Sequence, residues 1–301
     1  MSNLSVMILT SNEEVHIERA IRSARAVAQK VFVIDCGSKD RTCALAEAAG
    51  ATVLYNPWIN HAKQVNWAID NCGIATHWTM RLDADEWLSE DLKRELTGTL
   101  DSLPEDVVAL TVPLRRYFLG RPITHGGAGR KVLLRIFRTG KARCDASWMD
   151  ERIIPGPGRV LQLKGWFADD NQHGLTWWIE KHNGYASREA LNTILRQQIP
   201  CDARLFGAGQ SARIKWLKHN LYYRIPSVIR SPAYFLFRYI CLLGFLDGSA
   251  GLIFHFFQGL WYRALVDAKI YSVRLAMRQR GKSLREAVKE QLQLELPPPN
   301  Q

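Results

Sequence analysis

The amino-acid sequence predicts an α/β fold: a mostly parallel sheet flanked by helices, with a C-terminal helical extension that is both basic and apolar. Three observations predict it. Short apolar runs of strand length alternate with helix-period segments through the first half of the chain. Polar and acidic residues gather where those runs end, the side on which open α/β sheets bind ligands. Lysine and arginine concentrate in the last third.

Each element has its own signal. Residues 4–9 are a short, predominantly apolar run, as a buried strand requires. Thr10, Ser11 and Asn12 can cap a helix that carries Glu13 and Glu14 in its first turn. Ile17, Ile21, Ala24 and Ala28 give that helix its stripe. Residues 31–34 form a second strand ending at Asp35. A turn at Gly37-Ser38 follows, then a helix capped by Ser38 or Asp40 and stopped by Gly50. Residues 51–55, 78–82 and 107–112 are further strands, and 61–72 and 89–100 are helices. Strands alternating with helices imply βαβ units.

Composition sets the outer limits. The chain has 301 residues, 47% hydrophobic and 23% charged, which excludes disorder. The formal net charge is +11. Residues 1–200 hold 25 basic and 23 acidic residues, whereas residues 201–301 hold 15 and 6. The excess therefore belongs to the last third. Six cysteines, at 36, 43, 72, 144, 201 and 241, form no CxxC pair and read as reduced thiols. The N-terminus lacks the basic start of a signal peptide and turns acidic after a short apolar run.

Neither GxGxxG nor GxxxxGK[ST] occurs, which weakens dinucleotide-oxidoreductase and P-loop readings. Asp83 and Asp85 instead flank one small residue at a strand end. Two carboxylates so close repel unless a cation or sugar hydroxyls lie between them. Mg²⁺ or Mn²⁺, which take oxygen ligands and substrate phosphates, suit the pair. Capping of the helix near Ser89 is the plainer alternative.

Three stretches, TSNEEVHIERAIRS (10–23), DCGSKDRT (35–42) and LDADE (82–86), occur in order, each at a strand end. Together they resemble the family 2 glycosyltransferases, which have the GT-A, Rossmann-like fold. WWIEKHNGYASREA (177–190) looks like the subgroup that includes lipopolysaccharide-core glucosyltransferases. The resemblance implies an inverting transferase that uses a nucleotide-sugar donor, a UDP-sugar, with Mg²⁺ or Mn²⁺. It implies that Thr10, Asn12, Glu13 and Asp35 line the nucleotide pocket, with Lys63 and Asn66 as looser matches. Asp83 would hold the ribose and Asp85 the metal, with Glu86 in support. Lys181, His182 and Tyr185 would reach the diphosphate or the acceptor.

Inversion needs a carboxylate on the acceptor side to take the hydroxyl proton. Asp150-Glu151 is the candidate pair, with Glu151 the first choice and Asp169-Asp170 a rival. Other readings of the acids are a nucleotidyltransferase or a non-catalytic membrane-bound nucleotide-sugar-binding scaffold.

In the last third, residues 235–246 and 250–260 are apolar runs, each shorter than the roughly 20 residues that cross a bilayer. A helical hairpin dipping into one leaflet is expected, with a buried soluble hairpin as the alternative. Tyr262, Val266, Ile270, Val273, Met277 and Leu284 fall on one arc of the next helix, beside Arg263, Arg274, Arg278 and Arg285. Basic residues beside apolar ones suit anionic lipid. The expected division is a catalytic domain at 1–200 and a membrane-associating extension at 201–301. The expected location is cytoplasmic, on the inner membrane face, with residues 213–290 on the lipid. A glycan or lipid-linked acceptor would be met there. No nucleic-acid motif accompanies the basic residues.

Overall fold

A computed structural model describes residues 3–129, 131–145, 152–198 and 227–296. The chain forms two compact units, Met1–His173 and Gly174–Gln301.

In the first unit, β1 (Leu4–Thr10), α1 (Ile17–Arg25), β2 (Lys30–Asp35), α2 (Thr42–Ala48), β3 (Thr52–Tyr55), α3 (His61–Asn71) and β4 (Trp78–Asp83) alternate as the sequence predicts. They are followed by β5 (Glu86–Leu88), α4 (Glu90–Thr99), β6 (Val107–Phe118), β7 (Arg121–Ile123) and β8 (Lys131–Arg138). Then come β9 (Ala142–Cys144), β10 (Ile153–Pro155), β11 (Arg159–Gln162) and β12 (Phe167–Asp169). The main sheet runs β3-β2-β1-β4-β8-β6-β12-β5. Its first four strands are parallel. Antiparallel strands enter after β4, where β8 pairs with both β4 and β6.

All seven residues of β1 are buried, because helices cover both faces of the sheet. Leu4, Val6 and Ile8 pack with Ile17, Ile21 and Ala24 of α1. Met7 and Leu9 point the other way, toward Ala62, Val65 and Ala68 of α3. This alternation aligns the strand ends: Thr10 pairs with Asp35, and Leu9 with Asp83.

The first helix starts later than its capping signal predicts. Asn12 adopts a left-handed φ of 53°, Glu13–His16 form a turn, and α1 begins at Ile17. Asn12, expected to cap it, bonds across to Ser38 and Lys39 instead, and the N–H groups of Glu13 and Glu14 bond Thr42 and Asp40. By contrast, Ser89 caps α4, its hydroxyl accepting from Leu92 N–H.

The second unit contains α5 (Leu175–Gln198), α6 (Ser227–Leu236), α7 (Gly248–His255), α8 (Tyr262–Arg280) and α9 (Leu284–Leu292). A π-helical turn, Phe237–Cys241, and a 3₁₀ turn, Gly244–Asp247, separate α6 from α7. A second π-helical stretch, Phe256–Trp261, joins α7 to α8. Gly281, at a φ of 61°, ends α8, and a Ser283–Glu286 capping box starts α9.

Two expectations change here. The division falls after His173, not near residue 200, because Ala186, Ala190 and Ile194 of α5 pack with α8 and α9. The apolar arc of α8 does not face lipid: Tyr262, Val266, Ile270 and Val273 form the core of this unit. Of the basic residues upstream, Arg213, Lys215, Lys218 and Arg224 lie outside the described residues, whereas Arg230 is buried against Asp267.

Candidate active site

Two strand-end loops interlock. Asp35 Oδ2 accepts from Gly37 N–H at 2.8 Å and Ser38 N–H at 2.9 Å, and Ser38 Oγ donates to Oδ1. Asn12 N–H donates to Ser38 Oγ at 2.8 Å, and Asn12 Oδ1 accepts from Lys39 N–H at 2.8 Å. Glu13 N–H reaches Thr42 Oγ1, and Glu14 N–H reaches Asp40. Burial pushes the Asp40 carboxyl up, but hydrogen bonds from Thr42 and Glu14 outweigh it and hold it low. Asp40 thus organises the loop. Asp35 is 4% exposed and accepts from Gly37 N–H, Ser38 N–H and Ser38 Oγ, with the Cys43 thiol also against it. Thr10 Oγ1, buried at the end of β1, has no hydrogen-bond partner among the described residues. An orphan hydroxyl at a strand end is what a bound ligand would satisfy.

The Asp83–Glu86 acids sit between two arginines. Arg81 Nε contacts Asp83 Oδ1 at 3.3 Å, and Arg135 Nη2 contacts Oδ2 at 3.4 Å. Burial alone would raise the Asp83 carboxyl. The Arg81 and Arg135 guanidiniums, with His61, overcome that and hold it well below the carboxylate range. Glu86 Oε1 accepts from Arg135 Nη2 at 2.5 Å, and Oε2 accepts from Asp83 N–H at 2.9 Å. Burial pushes Glu86 well above its usual value; Arg135 opposes this, while Asp83 and Asp85 repel and add to it. Glu86 thus braces the turn through Asp83 N–H and Arg135. Asp85 is half-buried, and its Oδ2 accepts from Asn171 Nδ2 at 3.1 Å.

Asn171 reaches Asp85 because β12 pairs antiparallel with β5, setting Asp169 opposite Glu86. Asp169 bonds Arg116 at 3.1 Å and Asp170 bonds Arg19 at 2.5 Å. His16 anchors the same segment. Gln172 N–H, which can only donate, lies 2.7 Å from His16 Nε2. Nε2 therefore accepts, and the hydrogen sits on Nδ1, 2.5 Å from Glu13 Oε2. His173 Nε2 is 3.5 Å from the same Glu13 oxygen. Ligand atoms of Glu13, His16 and His173 lie within 4.8 Å of one another, a spacing that would suit a metal. A metal on Nδ1 would force a hydrogen onto Nε2, against the Gln172 N–H. The cluster is instead a hydrogen-bonded tie.

A family profile, Glycosyl transferase family 2, matches residues 5–153, which include the interlocked loops and the Asp83–Glu86 acids. An uncharacterised glycosyltransferase of Rickettsia typhi is 38% identical over 203 residues, covering 64% of this chain and 69% of that protein.

The chain belongs to the family 2 glycosyltransferases.

It is also similar to LpsC, a lipopolysaccharide core biosynthesis glycosyltransferase of Rhizobium meliloti. The identity is 29% over 288 residues, 89% of this chain and 92% of that one. Matches to two further Rickettsia glycosyltransferases span about a third of those proteins. Among solved structures, the glucosyl-3-phosphoglycerate synthase of Mycobacterium tuberculosis shares 22% identity. That likeness covers 38% of this chain and 44% of the other, with a TM-score of 0.31.

Within this glycosyltransferase the sequence-predicted residues divide into groups. Thr10, Asn12, Glu13, Asp35, Asp83 and Asp85 lie at the strand ends and their loops. Asn66 does not fit a nucleotide contact: its side-chain amide bonds both Cys144 O and Cys144 N–H at 2.9 Å, tying α3 to β9. Lys63 is exposed on α3. Lys181, His182 and Tyr185 belong to the second unit. Lys181 lies over Trp177, and His182 stacks on Trp178 at 3.5 Å. His182 Nδ1 donates to Trp178 O, and its Nε2 accepts from Gln258 Nε2, each at 2.8 Å. Tyr185 sits edge-on to His182. Asp150 and Glu151 lie outside the described residues. The sequence reading missed Arg81, Arg135, His16, Asn171 and His173. A basic residue within a strand, and an Asn-x-His after an acidic pair, were the available signals.

Proposed function

We propose that this glycosyltransferase is inverting and metal-dependent. It moves a sugar from a nucleotide-sugar, a UDP-sugar, onto a glycan or lipid-linked acceptor in cell-envelope polysaccharide or lipopolysaccharide synthesis. The observation that carries the reading is the Asp83-Ala84-Asp85 turn, held by Arg81 and Arg135 and reached by Asn171. The full-length similarity to LpsC supports the envelope assignment.

The residues fit a hard divalent cation. Asp85 offers half-buried carboxylate oxygens beside an asparagine amide, the donor chemistry Mg²⁺ and Mn²⁺ prefer. Asp85 would hold the ion, which when bound neutralises charge on the departing diphosphate. Asp83 stays ionised between its arginines and orients ribose hydroxyls. Thr10 Oγ1 and Asp35 address the nucleoside. Glu151, or Asp150 beside it, takes the proton from the acceptor hydroxyl as that oxygen attacks the anomeric carbon.

Asp85→Ala should lower metal-dependent turnover at least about 100-fold while the thermal unfolding profile is preserved. Unchanged turnover would refute the assignment. A panel of nucleotide-sugars against membrane extracts, with product linkage read by NMR, identifies donor and acceptor. Comparing Glu151→Gln with Asp150→Asn identifies the base, which loses orders of magnitude in rate and keeps donor binding.

A further inference from the structure

The bend of the helical unit is built inside out. Phe237, Ile240, Leu243, Phe245, Leu246 and Leu252 are 44–56% exposed. Turned inward, beside Phe254, are Gly244, Gly251, His255 and the Asp247 carboxylate. A water-facing hairpin does the reverse, and contiguous exposed apolar side chains mark an interaction surface.

From Ile229 to Arg280 the chain holds two acids, Asp247 and Asp267. Both are hidden. Asp247 is 3% exposed beside the fully buried His255, their nearest atoms 3.8 Å apart. Asp267 is 8% exposed and takes a two-pronged contact from Arg230. The glycines make the first pairing possible. A Cβ on Gly244 would lie 2.7 Å from the His255 ring, and one on Gly251 would lie 2.4 Å from Asp247 Cβ. Three N–H groups at the turn are also satisfied internally. Leu242 N–H bonds Phe237 O at 3.0 Å, Leu243 N–H bonds Ile240 O at 3.1 Å, and Leu246 N–H bonds Leu243 O at 3.0 Å.

Apolar outside, acids hidden and backbone satisfied are the conditions for entering hydrocarbon. Among the described residues no single helix is long and apolar enough to cross a membrane. The arms Ile229–Cys241 and Gly244–Arg280 meet at a 74° bend. The first arm, about 20 Å long at helical rise, falls short of a ~30 Å hydrocarbon core. Exposed Arg274 and Arg278 lie farther along α8, and residues 227–296 hold ten basic side chains against five acidic ones.

We infer that the bend around residues 236–252 inserts into one leaflet of an anionic lipid bilayer, with the arginines of α8 at the headgroups. Charge complementarity chooses lipid over a second copy of this basic chain: like-charged surfaces repel, whereas anionic headgroups attract.

The test is flotation of the full chain with vesicles of phosphatidylcholine, alone or with phosphatidylglycerol. Wild type should float with the anionic vesicles and stay bound in ~1 M NaCl, where exposed charges are screened. Phe237→Asp and Leu246→Asp should each lower partitioning about tenfold or more. Leu119→Asp, an equally drastic change at an exposed site in the turn between β6 and β7 of the first unit, should bind as wild type. Circular dichroism should show all three variants folded. Failure of wild type to float, or undiminished binding by both bend variants, would overturn the inference. Complete release by salt would assign the binding to the arginines alone and also overturn it. Self-association without vesicles, abolished by Leu246→Asp in a protein that does not float, would mean that a second copy covers the bend.

Discussion

His16 shows how one side chain can hold a site it does not enter. It is fully buried, accepts from the backbone of Gln172 and donates to Glu13. Through Gln172 it fixes the segment whose Asn171 meets Asp85. His16→Ala leaves a carboxylate and a backbone N–H without their partner. It should cost about 2–3 kcal/mol, a fall of about 4–10 °C in Tm. His16→Gln, which can still donate and accept, should recover part of both stability and donor KM. Equal losses in the two variants, or an unchanged KM in His16→Ala, would remove the positioning role. The thiols give a second test at this scale. Burial pushes Cys72 up to about 12; burial and then the Asp35 charge push Cys43 up to about 11. A raised thiol value depletes the reactive thiolate at neutral pH, so both should resist alkylation under native conditions. Exposed Cys241 should react first among the five described cysteines, as mass mapping after brief iodoacetamide treatment would show.

The elements show which signals a sequence carries openly. Strands β1, β2 and β4 were legible because burial on both faces demands predominantly apolar runs, and their ends were legible because polar residues follow at once. The arginines were not. Arg135 reads as one of three basic residues in the run KVLLRIFR, and only the antiparallel pairing of β8 with β4 brings it to Asp83 and Glu86. Asn171 is equally silent, since β12 reaches β5 from about 80 residues farther along the chain. Asn66 misled for the opposite reason: an amide on the expected helix looks like a ligand until its partner on β9 is known. The arc of α8 was read correctly as apolar and assigned to the wrong neighbour, because periodicity reports a buried face and not what buries it. Val273 is fully buried in that face. Val273→Ala should therefore destabilise the helical unit by about 1–2.5 kcal/mol in chemical denaturation, whereas a lipid-facing valine would cost nothing measurable in lipid-free protein.

For the whole molecule, the open question is whether both units serve the donor. The strand-end acids, the interlocked loops and the Asp85 contact all lie within Met1–His173. The three residues expected from the second unit have internal duties: Lys181 covers Trp177, both nitrogens of His182 are bonded within the unit, and Tyr185 packs on His182. A side chain that must first break two hydrogen bonds contributes little net binding. Hydrogen exchange on the full chain, with UDP and Mn²⁺, should therefore slow amides around residues 10–13, 35–42 and 83–86 and leave residues 178–185 unchanged. Protection should track the metal, so Asp85→Ala should lose the Mn²⁺-dependent part and keep the remainder. Slowed exchange at 178–185 with UDP alone would restore Lys181, His182 and Tyr185 to the donor site. Slowing there only when acceptor is added would place them on the acceptor side, where a membrane-seated helical unit would meet a lipid-linked substrate.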